Sequence, residues 1–125
     1  MTNKTVHFLV VEDDEVDVKA LKRAFKELHL ANPVRFARDG IEALEILRGE
    51  NGQEKLEKPY LVLLDLNMPR MNGIEFLDEV REDPEHHCAL VFVLTTSSAE
   101  EDRIKSYDKN VAGYMLKSNA GDTLH

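Results

Sequence analysis

Short apolar runs alternate with amphipathic segments from one end of this chain to the other, and that alternation predicts an α/β fold built on a doubly wound parallel sheet. Three of the runs are nearly continuous apolar stretches without the polar alternation of a half-exposed strand, as parallel strands covered on both faces require. At 125 residues the chain is long enough for a single substantial core, so one domain over residues 1–125 is expected.

The five runs, at 6–11, 34–37, 61–64, 90–94 and 114–116, are rich in branched residues and read as strands. Val16, Ala20, Leu21, Ala24, Phe25 and Leu28 make one helical stripe over 15–28. Ile41, Leu44 and Leu47 make a second, and Ile74, Leu77 and Val80 a third, with charged residues on the opposite faces. Start signals agree with this register: Asp39 precedes Glu42, Asn72 precedes Glu75 and Ser98 precedes Glu101, each at N-cap to N3 spacing. The last of these opens a helix reaching about residue 109. Residues 49–59, with Asn51-Gly52 and several charges, read as a surface loop, and the segment after Asp83-Pro84 reads as a loop.

Composition excludes several function classes. With 42% hydrophobic and 32% charged residues the chain is globular in type, and a net charge of −8 opposes general binding to nucleic-acid backbones or anionic membranes. No apolar run approaches the ~20 residues of a bilayer span, and residues 1–7 lack the apolar centre of a leader, so a cytoplasmic location is expected. Cys88 is the single cysteine and reads as a small apolar filler. His86 and His87 beside it have no further ligands at metal-site spacing.

In sheets of this type ligands lie beyond the carboxyl ends of the strands. The first run ends in Glu12-Asp13-Asp14, the third in Asp65, the fourth in Thr95 and the fifth in Lys117, whereas Arg38-Asp39 after the second offers no evident chemistry. Glu12, Asp13 and Asp65 would then meet on one rim, with Thr95 and Lys117 opposite. Three carboxylates in one crevice repel unless a cation compensates them. Few protein oxygens suit Mg²⁺, which keeps several waters; Ca²⁺ is disfavoured because residues 12–17 lack the central glycine and terminal glutamate of an EF-hand loop. Asp14 is positioned to cap the first helix instead.

The segments Phe8-Leu-Val-Val-Glu-Asp-Asp14 and Leu63-Leu-Asp-Leu-Asn-Met-Pro-Arg-Met-Asn-Gly73 resemble the acidic pair and phosphoacceptor loop of response-regulator receiver domains, and Thr95 and Lys117 fall on that family's hydroxyl and lysine positions. The resemblance spans residues 6–117 and implies a five-stranded flavodoxin-like sheet of order 2-1-3-4-5. It implies that Asp65 accepts a phosphoryl group from a sensor histidine kinase, and that Asp13, Asp65 and the Asn67 carbonyl bind Mg²⁺. Glu12 would act through a metal-bound water, Thr95 would hydrogen-bond a phosphoryl oxygen, and Lys117 would pair with Asp65. It further implies a switch in which Thr95 moves inward and Tyr114, three residues before the lysine, changes rotamer. Ile104, Tyr107, Val111 and Tyr114 would form the surface that partners read, and the helix before Tyr114 together with the last strand would be a face for homodimers. The loop at 49–59 and Ser106-Tyr107-Asp108 are similar to single-domain regulators of phytochrome-type kinases.

Two features depart from that pattern. Ser118 stands where the family usually has proline, and only eight residues follow Lys117, too few for a closing helix, so the last helix is expected to be truncated. Met68 and Met71 flank the acceptor and read as its cover. An aspartyl-phosphate phosphohydrolase is the competing reading, and Asn67 stands where the dehalogenase-like enzymes would need a second aspartate. A receiver-like binding module without phosphorylation is a third, opposed by the presence of acid pair, acceptor, hydroxyl and lysine together.

Overall fold

A computed structural model describes residues 5–65, 71, 73–95 and 111–116, the last two of these and Thr95 by their backbone. Asn67, Met68, Asn72, Ile104, Tyr107, Lys117, Ser118, the helix expected to reach residue 109 and the chain after residue 116 lie outside the described residues. The elements are β1 (His7–Val11), α1 (Glu15–Glu27), β2 (Val34–Ala37), α2 (Gly40–Arg48), β3 (Tyr60–Asp65), α3 (Gly73–Glu82), β4 (Leu90–Thr95) and β5 (Gly113–Leu116). All strand pairs are parallel, in the order β2-β1-β3-β4-β5. The expected order is therefore found.

Successive strand residues point to opposite faces, and both faces are apolar. Val10, Leu63 and Leu94 pack against Leu21 and Phe25 of α1, with Phe8 stacked on Phe25 at 5.5 Å. Leu9, Val11, Val62, Leu64 and Val91 pack against Ala43 and Leu47 of α2 and against Phe76, Leu77 and Val80 of α3. Phe76 and Leu77 are fully buried, and removing either side chain would cost about 2–5 kcal/mol.

The starts of α1 and α2 are where the sequence predicts, while Ser98 and the helix it was expected to open lie outside the described residues. Asp14 accepts from the N–H groups of Val16 (2.8 Å) and Asp17 (3.3 Å), capping α1. Asp39 accepts from Glu42 N–H at 2.9 Å while Glu42 accepts from Arg38 N–H at 2.8 Å, tying down the start of α2 at both ends of the cap.

Some burial differs from expectation. Val16 is 71% exposed because it lies nine residues from buried Phe25, about two and a half turns, and so faces away from the sheet. Cys88 is exposed and not a filler, whereas His86, two residues earlier in the turn between α3 and β4, is buried. Tyr60 Oη lies 2.5 Å from His86 Nδ1, and burial, with Glu85 and Asp83 adding to it, pushes the Tyr60 hydroxyl up to about 12, so it stays protonated. The 49–59 segment is pinned at several points. Leu56 is buried and its N–H donates to Ile46 O, and Arg35 donates to Glu54 O and Gln53 Oε1.

Candidate functional site

Sheet register brings the acids together. Val11 of β1 pairs with Leu64 of β3, so the next residues along these parallel strands, Glu12 and Asp65, emerge side by side at the carboxyl-end rim. Glu12 N–H donates to Ala37 O at 2.9 Å, which continues the β1–β2 pairing by one residue beyond the strand. Glu12 and Asp65 are both buried at 2% exposure, while Asp13 faces solvent. Glu12 Oε1 accepts from Asp14 N–H at 3.1 Å, which aims its carboxylate along the rim.

One carboxylate oxygen from each of Glu12, Asp13 and Asp65 lies within 4.8 Å of the others. Two ionised carboxylates at such a separation repel by roughly 3 kcal/mol at an effective dielectric of about 20. A divalent cation relieves that repulsion. The donor set fits a hard ion: every ligand atom is carboxylate oxygen, and the exposed Asp13 leaves one side open to water and to a further oxygen ligand. No histidine or cysteine belongs to the cluster, so softer metals that favour nitrogen and sulfur have little to select them.

The remaining candidates are placed less completely. Thr95 ends β4 one residue past Leu94, the register partner of Asp65, so its backbone reaches the same rim. Its side chain, Asn67 and Lys117 lie outside the described residues. Tyr114 is half-buried in β5 and packs with Val111 and Ile74 around Val93. Met71, read from the sequence as a cover for the acceptor, is described with other contacts. It packs into the α2/α3 side of the core and meets Gly40, whose N–H donates to Met71 O at 3.2 Å. The end of β2, which offers no evident chemistry in the sequence, thus touches both chain segments that leave the acid cluster. The one sequence signal for it was a glycine placed at the first position of a helix, where no turn requires one.

Comparison with known proteins agrees with this geometry. Residues 8–125 match the response regulator receiver domain family. The chain is 36% identical over 110 residues to response regulator Rcp1 of Synechocystis, covering 88% of this chain and 75% of that protein. A solved structure of Rcp1 in its Mn²⁺-bound form superposes with a TM-score of 0.81 at 32% identity, covering 94% of this chain and 88% of that one. The bacteriophytochrome response regulator AtBRR gives a TM-score of 0.87 at 31% identity, covering 98% and 91%. The phosphorylated cyanobacterial phytochrome response regulator RcpA gives 0.83 at 33%, covering 97% and 89%. With its sheet order, its rim of acids and a family match along nearly its whole length, the chain belongs to the response regulator receiver domains, the signalling switches of two-component systems.

Proposed function

We propose that this chain is a single receiver domain over residues 1–125 that takes one phosphoryl group onto Asp65 from a sensor histidine kinase of the phytochrome type, in a Mg²⁺-dependent reaction. The observation that carries the reading is the convergence of Glu12, Asp13 and Asp65 within 4.8 Å. The names of the relatives support the kinase class, and the Mn²⁺-bound and phosphorylated forms among them support a divalent ion and an acyl phosphate.

Asp13, Asp65 and the Asn67 carbonyl would hold Mg²⁺ directly, and Glu12 through a water. When bound, the ion neutralises charge on the phosphoryl oxygens during transfer. Asp65 is the nucleophile: its carboxylate oxygen bonds to phosphorus as the donor's bond to phosphorus breaks, and the electron pair leaves with the donor. Burial of Asp65 at the strand end holds its carboxylate in one direction and keeps bulk water off one side of the acyl phosphate. Thr95 would donate to a phosphoryl oxygen and Lys117 would supply the opposing ammonium.

The mark adds roughly two negative charges at the rim. Thr95 and Tyr114 form the proposed switch, biasing an existing equilibrium toward a face, made by β5 and the segment before it, that binds a partner protein or a second copy of the chain. The acidic net charge disfavours direct nucleic-acid binding and so supports output by protein contact, and a cytoplasmic location suits a kinase-fed module. No described helix is long and apolar enough to cross a membrane.

Intact-mass measurement after treatment with acetyl phosphate tests the reading. One phosphate is expected on the wild-type chain with Mg²⁺, none after chelation and none on Asp65→Asn. Sustained release of inorganic phosphate at ordinary enzyme rates would instead identify a phosphohydrolase.

A further inference from the structure

We propose that the solvent face of α1 is a docking surface for the solvent face of α3 on a second copy of this chain, a stripe of cations meeting a stripe of carboxylates at identical spacing. On α1 the cations are Lys19, Lys22, Arg23 and Lys26, and on α3 the acids are Glu75, Asp78, Glu79 and Glu82. Both sets run i, i+3, i+4, i+7, the spacing that gathers residues on one face of a helix. All of these residues are exposed. The contact does not involve the acid site and stands apart from phosphorylation of Asp65.

Charge on the solvent side of a helix is ordinary, but its segregation by sign is not. Opposite charges four residues apart support a helix from within, and like charges at that spacing weaken it. Here Lys19 stands against Lys22 and Arg23, those two stand against Lys26, and the acids of α3 repeat the pattern. Among the described residues none of the four cations is ion-paired; Lys22 lies over the Phe36 ring at 4.9 Å. Glu15 stands at the amino end of the same face, so the positive stretch runs from 19 to 26. On α3, Arg81 is spent on the carbonyls of His87 and Ala89, each at 2.9 Å, and Glu79 lies 3.7 Å from Arg48. In a chain of net charge −8, an uncompensated line of cations is a surface that the chain's own acids attract.

The two stripes cannot meet within one molecule. Leu21 and Phe25 seat α1 on the sheet face that carries Val10, Leu63 and Leu94, whereas Phe76, Leu77 and Val80 seat α3 on the face that carries Leu9, Val11, Val62 and Leu64. Alternate strand residues point to opposite faces, so the helices lie on opposite sides of the sheet with their charged faces outward. A second copy supplies the complement. The spacing reads the same from either end, so two such helices can oppose all their charges whether they run parallel or antiparallel. The contact joins α1 of one copy to α3 of the next, and such head-to-tail contacts grow into chains or rings and do not stop at a dimer. Each stripe is about 10.5 Å long and exposed ion pairs are individually weak, so the association is transient, with a dissociation constant on the order of 1 mM.

The test is a concentration series of the ¹⁵N-labelled chain, followed by amide chemical shifts up to about 1 mM at about 0.1 M NaCl. Amides of 19–26 and 75–82 should shift together as concentration rises, and the shifts should collapse at 1 M NaCl, where the screening length is about 3 Å. The double variants Lys19→Glu/Arg23→Glu and Glu79→Lys/Glu82→Lys should each weaken the association about tenfold or more, with thermal unfolding confirming that each folds. In the second variant each reversal adds two charges, so the net charge moves from −8 to −4. Lower general repulsion would then tighten association, whereas loss of the acid stripe loosens it. Mixed together, the two variants retain one intact stripe each, so association should return and stop at a 1:1 pair. The proposal is overturned if no shifts depend on concentration, if they fall only on other surfaces, if Glu79→Lys/Glu82→Lys associates as well as the wild type, or if mixing restores nothing. Should a variant not fold, the wild-type series in concentration and salt decides by the location of its shifts.

Discussion

The two poles of the sheet treat charge in opposite ways. At the amino ends of the strands, acids are interleaved with bases: Lys55 meets Glu85 at 2.6 Å with Lys58 at 3.8 Å, and Arg48 meets Asp83 at 3.0 Å. At the carboxyl ends, three acids are gathered within 4.8 Å. Interleaved charges stabilise the fold modestly, whereas gathered like charges work against it. A protein that keeps such a cluster at one rim, while matching charges at the other, places folding stability and ligand binding at opposite ends of the same strands.

The largest test of this contrast is Asp65→Asn. It should abolish phosphoryl incorporation in an intact-mass assay, and in metal-free buffer it should raise stability by on the order of 1 kcal/mol by thinning the acid cluster. A destabilised metal-free variant would break the contrast, since it would mean that the cluster supports the fold.

Metal addition should act next most strongly. At a Mg²⁺ concentration one hundred times the dissociation constant, the wild type should gain about 2.7 kcal/mol in denaturant unfolding. Asp13→Asn should lose most of that gain at the same Mg²⁺ concentration.

At the other pole the sign reverses. Asp83→Ala should cost about 1–2 kcal/mol, because Asp83 accepts from the N–H groups of Glu85 (2.8 Å) and His86 (3.2 Å) as well as from Arg48, and Mg²⁺ affinity should not change. Although partial burial pushes the Asp83 carboxyl up, those hydrogen bonds outweigh it and hold it below its ordinary range. Its stabilisation is therefore present above that range and is lost as acid protonates the folded form.

The smallest expected effect is a pH slope from His86. Burial lowers its pKa from 6.5, against the pull of Asp83 and Glu85, so the unfolded chain takes up the proton more readily than the folded one. Its contribution is complete above pH 6.5 and declines below it. In denaturant unfolding, His86→Gln, which can still hydrogen-bond Tyr60, should flatten that slope in a way that Mg²⁺ does not.

Much of the fold was legible because its strands are buried on both faces. Continuous runs such as Leu61-Val62-Leu63-Leu64 admit few other placements, and strand ends in an α/β sheet fall on one rim, so Glu12, Asp13 and Asp65 could be grouped before any coordinates. Legibility failed where burial depends on contacts distant in sequence. Cys88, read as a filler, is exposed, and His86 is buried against a tyrosine 26 positions before it, a partner that no local pattern announces. Val16 has the composition of a core residue, but its angle around α1 relative to Phe25 turns it outward.

By itself the sequence determined the alternation of strand and helix, the caps at Asp14 and Asp39, and which carboxylates share an end of the sheet. Those features depend on local periodicity and on hydrogen bonds within a few residues, which a linear chain encodes directly. Only the tertiary structure decided that the β2–α2 turn bonds to Glu12 on one side and to Met71 on the other. The physical reason is that such close approaches depend on sheet register and on space between elements, and neither is a property of any one segment of chain.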